Sequence, residues 1–192
     1  MAVMQRNDTI RALAEQREGA VCVATMTVLE PFREASPSEL NIGCVGFMGG
    51  ASGLGLGLAL SQPDRKVLVL DGDGSLLMQL GSLATISGAA APNYYHFLFH
   101  NGVYETSGSQ AIPAEGRIDF AGMARAAGYH STHRFDDLEE LRTSLHSVLL
   151  EEGPVFVELL VEPAGSNYRG GARSITFEEE ARHLKEALLR SS

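Results

Sequence analysis

The most constraining feature of the sequence is an apolar segment that runs directly into a loop of aspartates and glycines. Residues 66–70 (KVLVL) have the composition of a buried strand, and residues 71–75 (DGDGS) form the loop. Residues 75–90 then carry leucines and alanine at helical spacing. This order predicts an α/β fold with the loop at the carboxyl end of the strand, where open parallel sheets bind their ligands.

The alternation of apolar and helical segments continues along the chain. Further strands are predicted at residues 20–25, 95–99, 131–135 and 155–161, and further helices at residues 9–17, 49–60, 119–127 and 137–150. Asp8 or Thr9 is predicted to cap the first helix, and residues 26–41, with two prolines, to form a loop or a broken helix. Because the strands are apolar on both faces, we expect a mostly parallel sheet with helices on both faces.

The length of 192 residues suits one compact domain, and neither repeats nor long linkers interrupt it. We therefore predict a single domain over residues 1–165, followed by a tail over residues 166–192. The tail contains an amphipathic helix at residues 177–190. The acidic residues 178–180 are predicted to be an exposed helix start, where negative charge favours the helix dipole.

Charge and cysteine content limit the possible partners and compartment. A net charge of −9 argues against nucleic acid or an anionic membrane as the main partner. The sequence has no apolar run long enough to span a bilayer, and its first residues do not resemble a signal peptide. Cys22 and Cys44 are predicted to be reduced and buried. We expect a soluble cytoplasmic protein.

The aspartates of the loop at residues 71–75 indicate a metal ion. The glycines allow backbone N–H groups to approach an anion, but the carboxylates would repel a bare phosphate. A divalent cation between carboxylate and diphosphate resolves this conflict, and Mg²⁺ prefers such oxygen ligands. A second loop, residues 100–104 (HNGVY), follows the next strand, and Asn101 lies 28 positions after Asp73 (101 − 73). Asp73, Asn101 and the carbonyl of Val103 are therefore the predicted metal ligands.

Three features of the sequence have competing interpretations at this point. His96 and His100 lie four residues apart on a strand, as metal ligands do, although core or loop positions are the alternative. The glycines of residues 53–57 (GLGLG) resemble a dinucleotide motif, but no strand directly precedes them, so tight helix packing is favoured. Arg169 and Arg173 are candidates for contact with an anionic substrate or are simply solvated.

The GDGS loop, followed at this distance by an asparagine loop, resembles the signature of thiamine diphosphate-dependent enzymes related to pyruvate decarboxylase and acetolactate synthase. Their usual form ends in two asparagines, and here His100 replaces the first while Asn101 matches the ligand asparagine. Residues 46–49 (GFMG) are similar to the stretch that contacts the aminopyrimidine. The resemblance implies that the Gly46 carbonyl accepts a hydrogen bond from the 4′-amino group and that Met48 supports the bent cofactor.

The same resemblance implies a set of cofactor-binding residues and two cofactors, thiamine diphosphate and Mg²⁺. The set comprises Thr25, Gly46, Phe47, Met48, Gly72, Asp73, Gly74, Ser75, Asn101, Val103 and Tyr104. The glutamate that activates the aminopyrimidine at N1′ belongs, in this family, to a separate pyrimidine-binding domain. We therefore expect it on a partner chain, and no catalytic residue is assigned within this one.

The sequence is most similar to phosphonopyruvate and sulfopyruvate decarboxylases, over most of residues 20–163. This similarity implies the diphosphate-binding subunit of a split enzyme that converts a 2-oxoacid with an anionic group on C3, such as sulfopyruvate, to its aldehyde and CO₂. It implies a pyrimidine-binding α-type partner in a hetero-oligomer containing two or more copies. The alternatives are a phosphonopyruvate decarboxylase, an acetolactate synthase-like carboligase subunit and a non-catalytic cofactor-binding module.

Overall fold

The computed structural model describes residues 3–163 and 175–190, and its centre is a six-stranded sheet in which every neighbouring pair is parallel. The sheet order is β2-β1-β3-β4-β8-β7, and β5 and β6 form a small antiparallel hairpin. The strands are β1 (Val21–Thr25), β2 (Asn41–Cys44), β3 (Val67–Gly72), β4 (Tyr94–His100), β5 (Val103–Tyr104), β6 (Gln110–Ala111), β7 (Ser131–Phe135) and β8 (Val155–Leu160).

Helices cover both faces of this sheet, as predicted. They are α1 (Arg6–Glu15), α2 (Met26–Ala35), α3 (Gly50–Ser61), α4 (Asp73–Met78), α5 (Ser82–Ala89), α6 (Phe120–Ala127), α7 (Leu138–Val148) and α8 (Phe177–Arg190). One core cluster lies between the sheet and α1, α2 and α7, and the other contains residues of α3, α4, α5, α6 and α8. Side chains of β1 alternate between the clusters, with Cys22 in the first and Val23 in the second, because successive residues of a strand face opposite sides.

The register of β3 and β4 places the two predicted loops side by side. Gly72 at the end of β3 pairs with Phe99 near the end of β4, so both strands finish at the same edge of the sheet. The loops that follow them carry Asp73 and Asn101. The prediction that adjacent parallel strands bring these residues together is confirmed.

The helix predicted over residues 75–90 is wrong, because the chain forms two helices there. α4 ends at Met78 and α5 begins at Ser82, with a turn closed by the Ser82 N–H to the Gln79 carbonyl at 2.8 Å. α4 packs against β3, β4 and β5, whereas α5 packs against α3 and α6. One straight helix cannot satisfy both packing directions, so the chain changes direction between them.

The predicted cap of the first helix is also wrong. α1 begins at Arg6 with Gln5 in the N-cap position, and Asp8 and Thr9 lie within the helix. The Thr9 hydroxyl donates back to the Gln5 carbonyl at 3.1 Å. The N–H of Met4 bonds to the Leu160 carbonyl at 3.0 Å, so the chain is held at the sheet until just before the helix starts.

Residues 26–41 contain more regular structure than the sequence indicated. α2 occupies most of this stretch and accommodates Pro31, while β2 follows it as an edge strand that was not predicted. Asn and Gly have low strand propensity, and β2 includes both within four residues. Its pairing with β1 therefore establishes this strand more than its own composition does.

The glycines of α3 are only partly explained by tight packing. A Cβ at Gly55 would lie 2.2 Å from Val69 Cγ2, so this position cannot accept a side chain. Gly53 and Gly57 have nothing within 4 Å of a built Cβ. The expectation of close packing is therefore confirmed at Gly55 and wrong at Gly53 and Gly57.

The C-terminal helix α8 packs against β2. Glu178 is exposed as predicted, but Glu180 is only 2% exposed, so the expectation of a fully exposed acidic start is wrong. The boundary between a domain ending at residue 165 and a tail stays a prediction. Arg169 and Arg173 lie outside the described residues. None of the helices described here is long and apolar enough to cross a membrane.

Candidate active site

A small cleft lies at the carboxyl edge of the sheet and brings together most of the predicted cofactor-binding residues. Eight of them line it, namely Thr25, Phe47, Met48, Gly72, Asp73, Ser75, Asn101 and Val103. Five lining residues were not in the predicted set, namely Met26, Thr27, Cys44, Glu105 and Thr106. The cleft has a volume of only about 50 Å³. This volume is smaller than that of a typical pocket for a small molecule, so the cleft does not enclose a cofactor-sized molecule.

Asp73 lies at the base of this cleft and is only 2% exposed. One carboxylate oxygen accepts the N–H of Asn101 at 2.9 Å and that of Gly102 at 2.7 Å, and the other accepts the N–H of Gly74 at 2.6 Å. The carboxylate thus joins the loop after β3 to the loop after β4. Because backbone donors hold it from two sides, its position is determined by the sheet.

The electrostatic environment of Asp73 favours a positively charged ligand. Burial raises the pKa of its carboxyl group to about 6, although the backbone N–H groups of Gly102, Gly74 and Asn101 and the nearby His100 lower it. Desolvation thus outweighs the hydrogen bonds that stabilise the ionised form. A cation beside the carboxylate would stabilise its ionised form and lower this pKa.

The second loop lies next to Asp73 and contributes Asn101 and Val103 to the lining of the cleft. The Asn101 side-chain oxygen accepts the N–H of Val103 at 3.0 Å, and both residues line the cleft. Gly102 has φ +77°, and a Cβ there would lie 2.7 Å from the Glu115 carboxylate, so the turn requires glycine. A carboxylate, an amide oxygen and a backbone carbonyl are all hard ligands, and such a set fits Mg²⁺.

Histidine ligation is not supported by the geometry. Among the described residues, no group of three or more His, Cys, Asp and Glu side chains is placed to hold a metal ion. His96 is fully buried, with Nε2 3.4 Å from Asp71 Oδ2 and Nδ1 3.3 Å from the Tyr129 hydroxyl. Asp71 is also fully buried and does not line the cleft. His96 is therefore a core histidine beneath the loop.

His100 points to a buried carboxylate that the sequence interpretation missed. Its Nδ1 lies 2.7 Å from Glu158 Oε1, and Glu158 has no exposed surface and also accepts the Ala121 N–H at 3.2 Å. Burial lowers the pKa of His100, but the bond to Glu158 and the charges of Asp73, Glu158 and Glu115 together raise it above its ordinary value. The signal available in the sequence was a glutamate inside the otherwise apolar segment at residues 155–161.

The loop at residues 46–49 is tied to the GDGS loop. The hydroxyl of Ser75 accepts the N–H of Gly49 at 3.0 Å, so this predicted cofactor contact also joins the two loops. Gly46 and Gly49 adopt φ +80° and +85°, which favours glycine. Met48 lines the cleft, and Phe47 is 68% exposed beside it.

Three predicted residues do not line the cleft, namely Gly46, Gly74 and Tyr104. A Cβ at Gly74 would lie 2.5 Å from the Tyr104 ring, so the aromatic ring packs directly on this glycine. Tyr104 therefore supports the GDGS loop by packing against it and does not line the cleft. Gly46 directly precedes Phe47 and Met48, which do line the cleft.

Thr25 ends β1 at the cleft, and its hydroxyl donates to the Leu70 carbonyl at 3.3 Å. α2 begins at the next residue, so the N-terminus of a ten-residue helix borders the cleft with Met26 and Thr27. Such a helix end attracts anions through its backbone N–H groups and dipole. The lining also includes Glu105, whose carboxylate lies 3.3 Å from Arg6 Nη1.

A larger apolar groove of about 730 Å³ lies next to this cleft. Its lining includes Leu54, Leu56, Ile86 and Phe177, and it shares Phe47 with the cleft. Among the described residues that line the groove there is no Asp or Glu, so it lacks a carboxylate of the kind that Asp73 provides in the cleft. The chemistry is therefore assigned to the smaller cleft.

Comparison with known proteins connects this geometry to one family. The model of the C-terminal TPP-binding domain of thiamine pyrophosphate enzymes matches residues 19–159. A phosphonopyruvate decarboxylase of Streptomyces viridochromogenes is 37% identical over 176 residues, which cover 91% of this chain and 44% of that protein. The sulfopyruvate decarboxylase subunit beta of Methanothermobacter thermautotrophicus is 42% identical over 64% of this chain and 63% of that protein. The chain thus matches less than two thirds of either relative's length.

A solved structure supports the fold at lower identity. The thiamine diphosphate-dependent 4-hydroxybenzoylformate decarboxylase of Rhodococcus jostii RHA1 superposes with a TM-score of 0.70 at 18% identity. The match covers 84% of this chain and 33% of that chain. At this identity the likeness concerns the architecture alone.

Proposed function

This chain belongs to the thiamine pyrophosphate enzymes through their C-terminal TPP-binding domain, and we propose that it is the diphosphate- and metal-binding subunit of a split decarboxylase. The proposed substrate is a 2-oxoacid with an anionic group on C3, such as sulfopyruvate, and the products are its aldehyde and CO₂. The observation that carries the proposal is the buried Asp73 carboxylate, held against the backbone of Asn101 and Gly102.

The cleft offers a place for each part of the cofactor. Asp73, Asn101 and the Val103 carbonyl would hold Mg²⁺, and the N-terminus of α2 would face the diphosphate. Gly46 and Met48 would contact the aminopyrimidine, because their loop borders the same cleft. When bound, thiamine diphosphate supplies the electron sink that decarboxylation of a 2-oxoacid requires.

A second subunit is part of the proposal for two reasons. The cleft does not enclose a cofactor-sized molecule, so the rest of the cofactor needs another protein surface. Two glutamates close to the Asn101 loop already have ion-pair partners, since Glu105 lies 3.3 Å from Arg6 and Glu115 lies 3.6 Å from His100. The proposal therefore assigns the glutamate for N1′ to a pyrimidine-binding partner, and the subunit name of the Methanothermobacter relative supports it.

The substrate class follows from the names of the relatives. Sulfopyruvate and phosphonopyruvate are both 2-oxoacids with an anionic group on C3. A phosphonopyruvate decarboxylase is the second candidate, supported by 37% identity over 91% of this chain.

The test is purification of this chain from its native cells, followed by assays of whatever assembly it forms. We expect a stoichiometric partner with a pyrimidine-binding domain, and CO₂ release from sulfopyruvate that depends on thiamine diphosphate and Mg²⁺. Release from phosphonopyruvate alone would replace the substrate. A pyrimidine-binding domain in the same polypeptide would overturn the split arrangement. The absence of cofactor-dependent decarboxylation in the complete assembly would overturn the decarboxylase function.

A further inference from the structure

β2 is an edge strand of the sheet, and a carboxylate from the C-terminal helix occupies its outer side. The strand pairs only with β1, through contacts such as Cys22 with Asn41 and Ala24 with Gly43. The N–H of Gly43 donates to Glu180 Oε2 at 2.9 Å. Edge strands present backbone donors that need partners, and α8 supplies one here.

The same carboxylate also binds a cation from a third element. Glu180 Oε1 pairs with Nη2 of Arg33 on α2, and Arg33 Nη1 binds Glu30 at 2.8 Å. Glu180 is 2% exposed, although its neighbour Glu178 is exposed. Burying a charge is costly unless it is paired and hydrogen-bonded, and both conditions are met at Glu180. We call the contacts among Glu180, Arg33 and the Gly43 N–H the α8 clamp.

The α8 clamp acts on the strand that leads to the candidate pyrimidine-contacting loop. β2 ends at Cys44, and Gly46 and Met48 follow two and four residues later. The Cys44 thiol lies 3.5 Å from the Phe47 carbonyl, so the end of the strand contacts the loop directly. Phe177, in the first turn of α8, lines the larger groove together with Phe47.

We propose that Glu180 is a positioning residue. Through its contact with β2, it holds the loop at residues 46–48 in place beside the cofactor cleft. The inference rests on the proposed function, because it assigns this loop to the aminopyrimidine. The diphosphate and metal end is positioned differently, since backbone groups of the loops after β3 and β4 hold Asp73. Loosening the α8 clamp should therefore weaken binding of the aminopyrimidine and leave binding of the diphosphate and metal unchanged.

The test compares Glu180→Gln with Glu178→Gln, an exposed glutamate on the same helix, in the assembly that this chain forms in its cells. Glu180→Gln keeps the shape of the side chain but removes the charge that Arg33 binds. We expect the affinity for thiamine diphosphate with Mg²⁺ to fall about tenfold, as when one charge-assisted hydrogen bond is lost. Affinity for inorganic pyrophosphate with Mg²⁺ should stay within about twofold, and the control should change neither.

Hydrogen exchange provides a readout that requires no ligand. Exchange of the Gly43 amide and of the amides of residues 46–48 should accelerate in Glu180→Gln and not in Glu178→Gln. If Glu180→Gln does not fold, Glu180→Asp keeps the charge on a shorter side chain and is used with the same readouts.

Each outcome bears on a distinct statement. An equal loss of affinity for both ligands, or no loss for either, would overturn the positioning role. Unchanged hydrogen exchange at the amides of residues 43–48 in Glu180→Gln would overturn it as well. Failure of the wild-type assembly to bind either ligand would contradict the proposed function, whereas exchange of the loop amides would still report on the α8 clamp.

Discussion

Asp73 and Glu180 are both only 2% exposed, yet the structure compensates their burial in different ways. Glu180 receives a guanidinium from Arg33 and one backbone N–H. Asp73 receives three backbone N–H groups, and burial still raises the pKa of its carboxyl to about 6. Glu180 is thus paired with a cation of the protein, whereas Asp73 is held mainly by backbone N–H dipoles.

The difference separates a structural carboxylate from a candidate ligand. An ion pair with good geometry neutralises a buried charge within the fold, as at Glu180. Backbone dipoles orient the Asp73 carboxylate and the nearby His100 lowers its pKa, but burial still raises that pKa, so a bound cation would complete the compensation. This contrast predicts that changes at Asp73 affect ligand binding and that changes around Glu180 affect stability and loop position.

The largest expected effect is loss of cofactor binding in Asp73→Ala. Removal of the carboxylate should weaken Mg²⁺-dependent binding of thiamine diphosphate by about 100-fold or more, because a metal ligand is lost. We expect the fold to persist, because Asp73 lines the cleft and water can enter the space that its carboxylate leaves. Calorimetric titration measures the affinity, and Asp64→Ala on an exposed turn is the control. Retained tight binding would remove Asp73 from the metal site.

The next largest effect is expected on stability in Arg33→Met. This change leaves Glu180 buried without its cation and should lower the free energy of unfolding by about 3 kcal/mol. Arg11→Met is the control, because Arg11 pairs with Asp8 at an exposed site where about 1 kcal/mol or less is expected. Urea denaturation compares the two variants. Equal losses would mean that the Gly43 N–H alone suffices for the buried carboxylate.

A smaller effect is expected in the pH dependence of stability without ligands. The folded pKa of Asp73, about 6, exceeds its ordinary value of 3.8, so the folded state holds the proton more tightly than the unfolded chain. The contribution to stability is fully present below about pH 4 and is lost as pH rises through about 6, by about 2 kcal/mol. When the free energy of unfolding is measured from pH 4 to 7, this decrease should be absent in Asp73→Asn. An unchanged slope would assign the effect to other groups.

The smallest predicted effect concerns the backbone beneath the cleft. In Gly74→Ala, the added Cβ would lie 2.5 Å from the Tyr104 ring, and displacement of the ring should cost about 1 kcal/mol of stability. Gly81→Ala introduces a methyl into open space and should be neutral or slightly stabilising. Thermal unfolding distinguishes the two variants. A neutral Gly74→Ala would indicate that the ring moves without strain.

Elements with a strong local pattern were predicted well. The bounds of β7 and α8 coincide with the predicted residues 131–135 and 177–190. The meeting of Asp73 and Asn101 was also predictable, because two consecutive parallel strands share an edge. The roles assigned to the site residues stay predictions, which the binding experiments test.

Other features depend on partners that are distant in sequence. The break between α4 and α5 follows from the different packing of the two helices, while leucines keep helical spacing across it. Glu180 was interpreted as solvated, yet its partners Gly43 and Arg33 lie 137 and 147 residues away. Glu158 is buried for a similar reason, since His100 is 58 residues distant.

The sequence by itself determined the alternation of strands and helices and the loops at the carboxyl edge, because apolar periodicity and glycine positions are local properties. Only the tertiary structure decided that Glu180 forms an ion pair within the fold, whereas Asp73 is held mainly by backbone N–H groups. A charge in the sequence does not reveal its partner, because pairing depends on distances set by the packing of elements far apart along the chain. Asp73 and Glu180 are both acidic residues in the sequence, and their surroundings in the fold make one a candidate ligand and the other a structural contact.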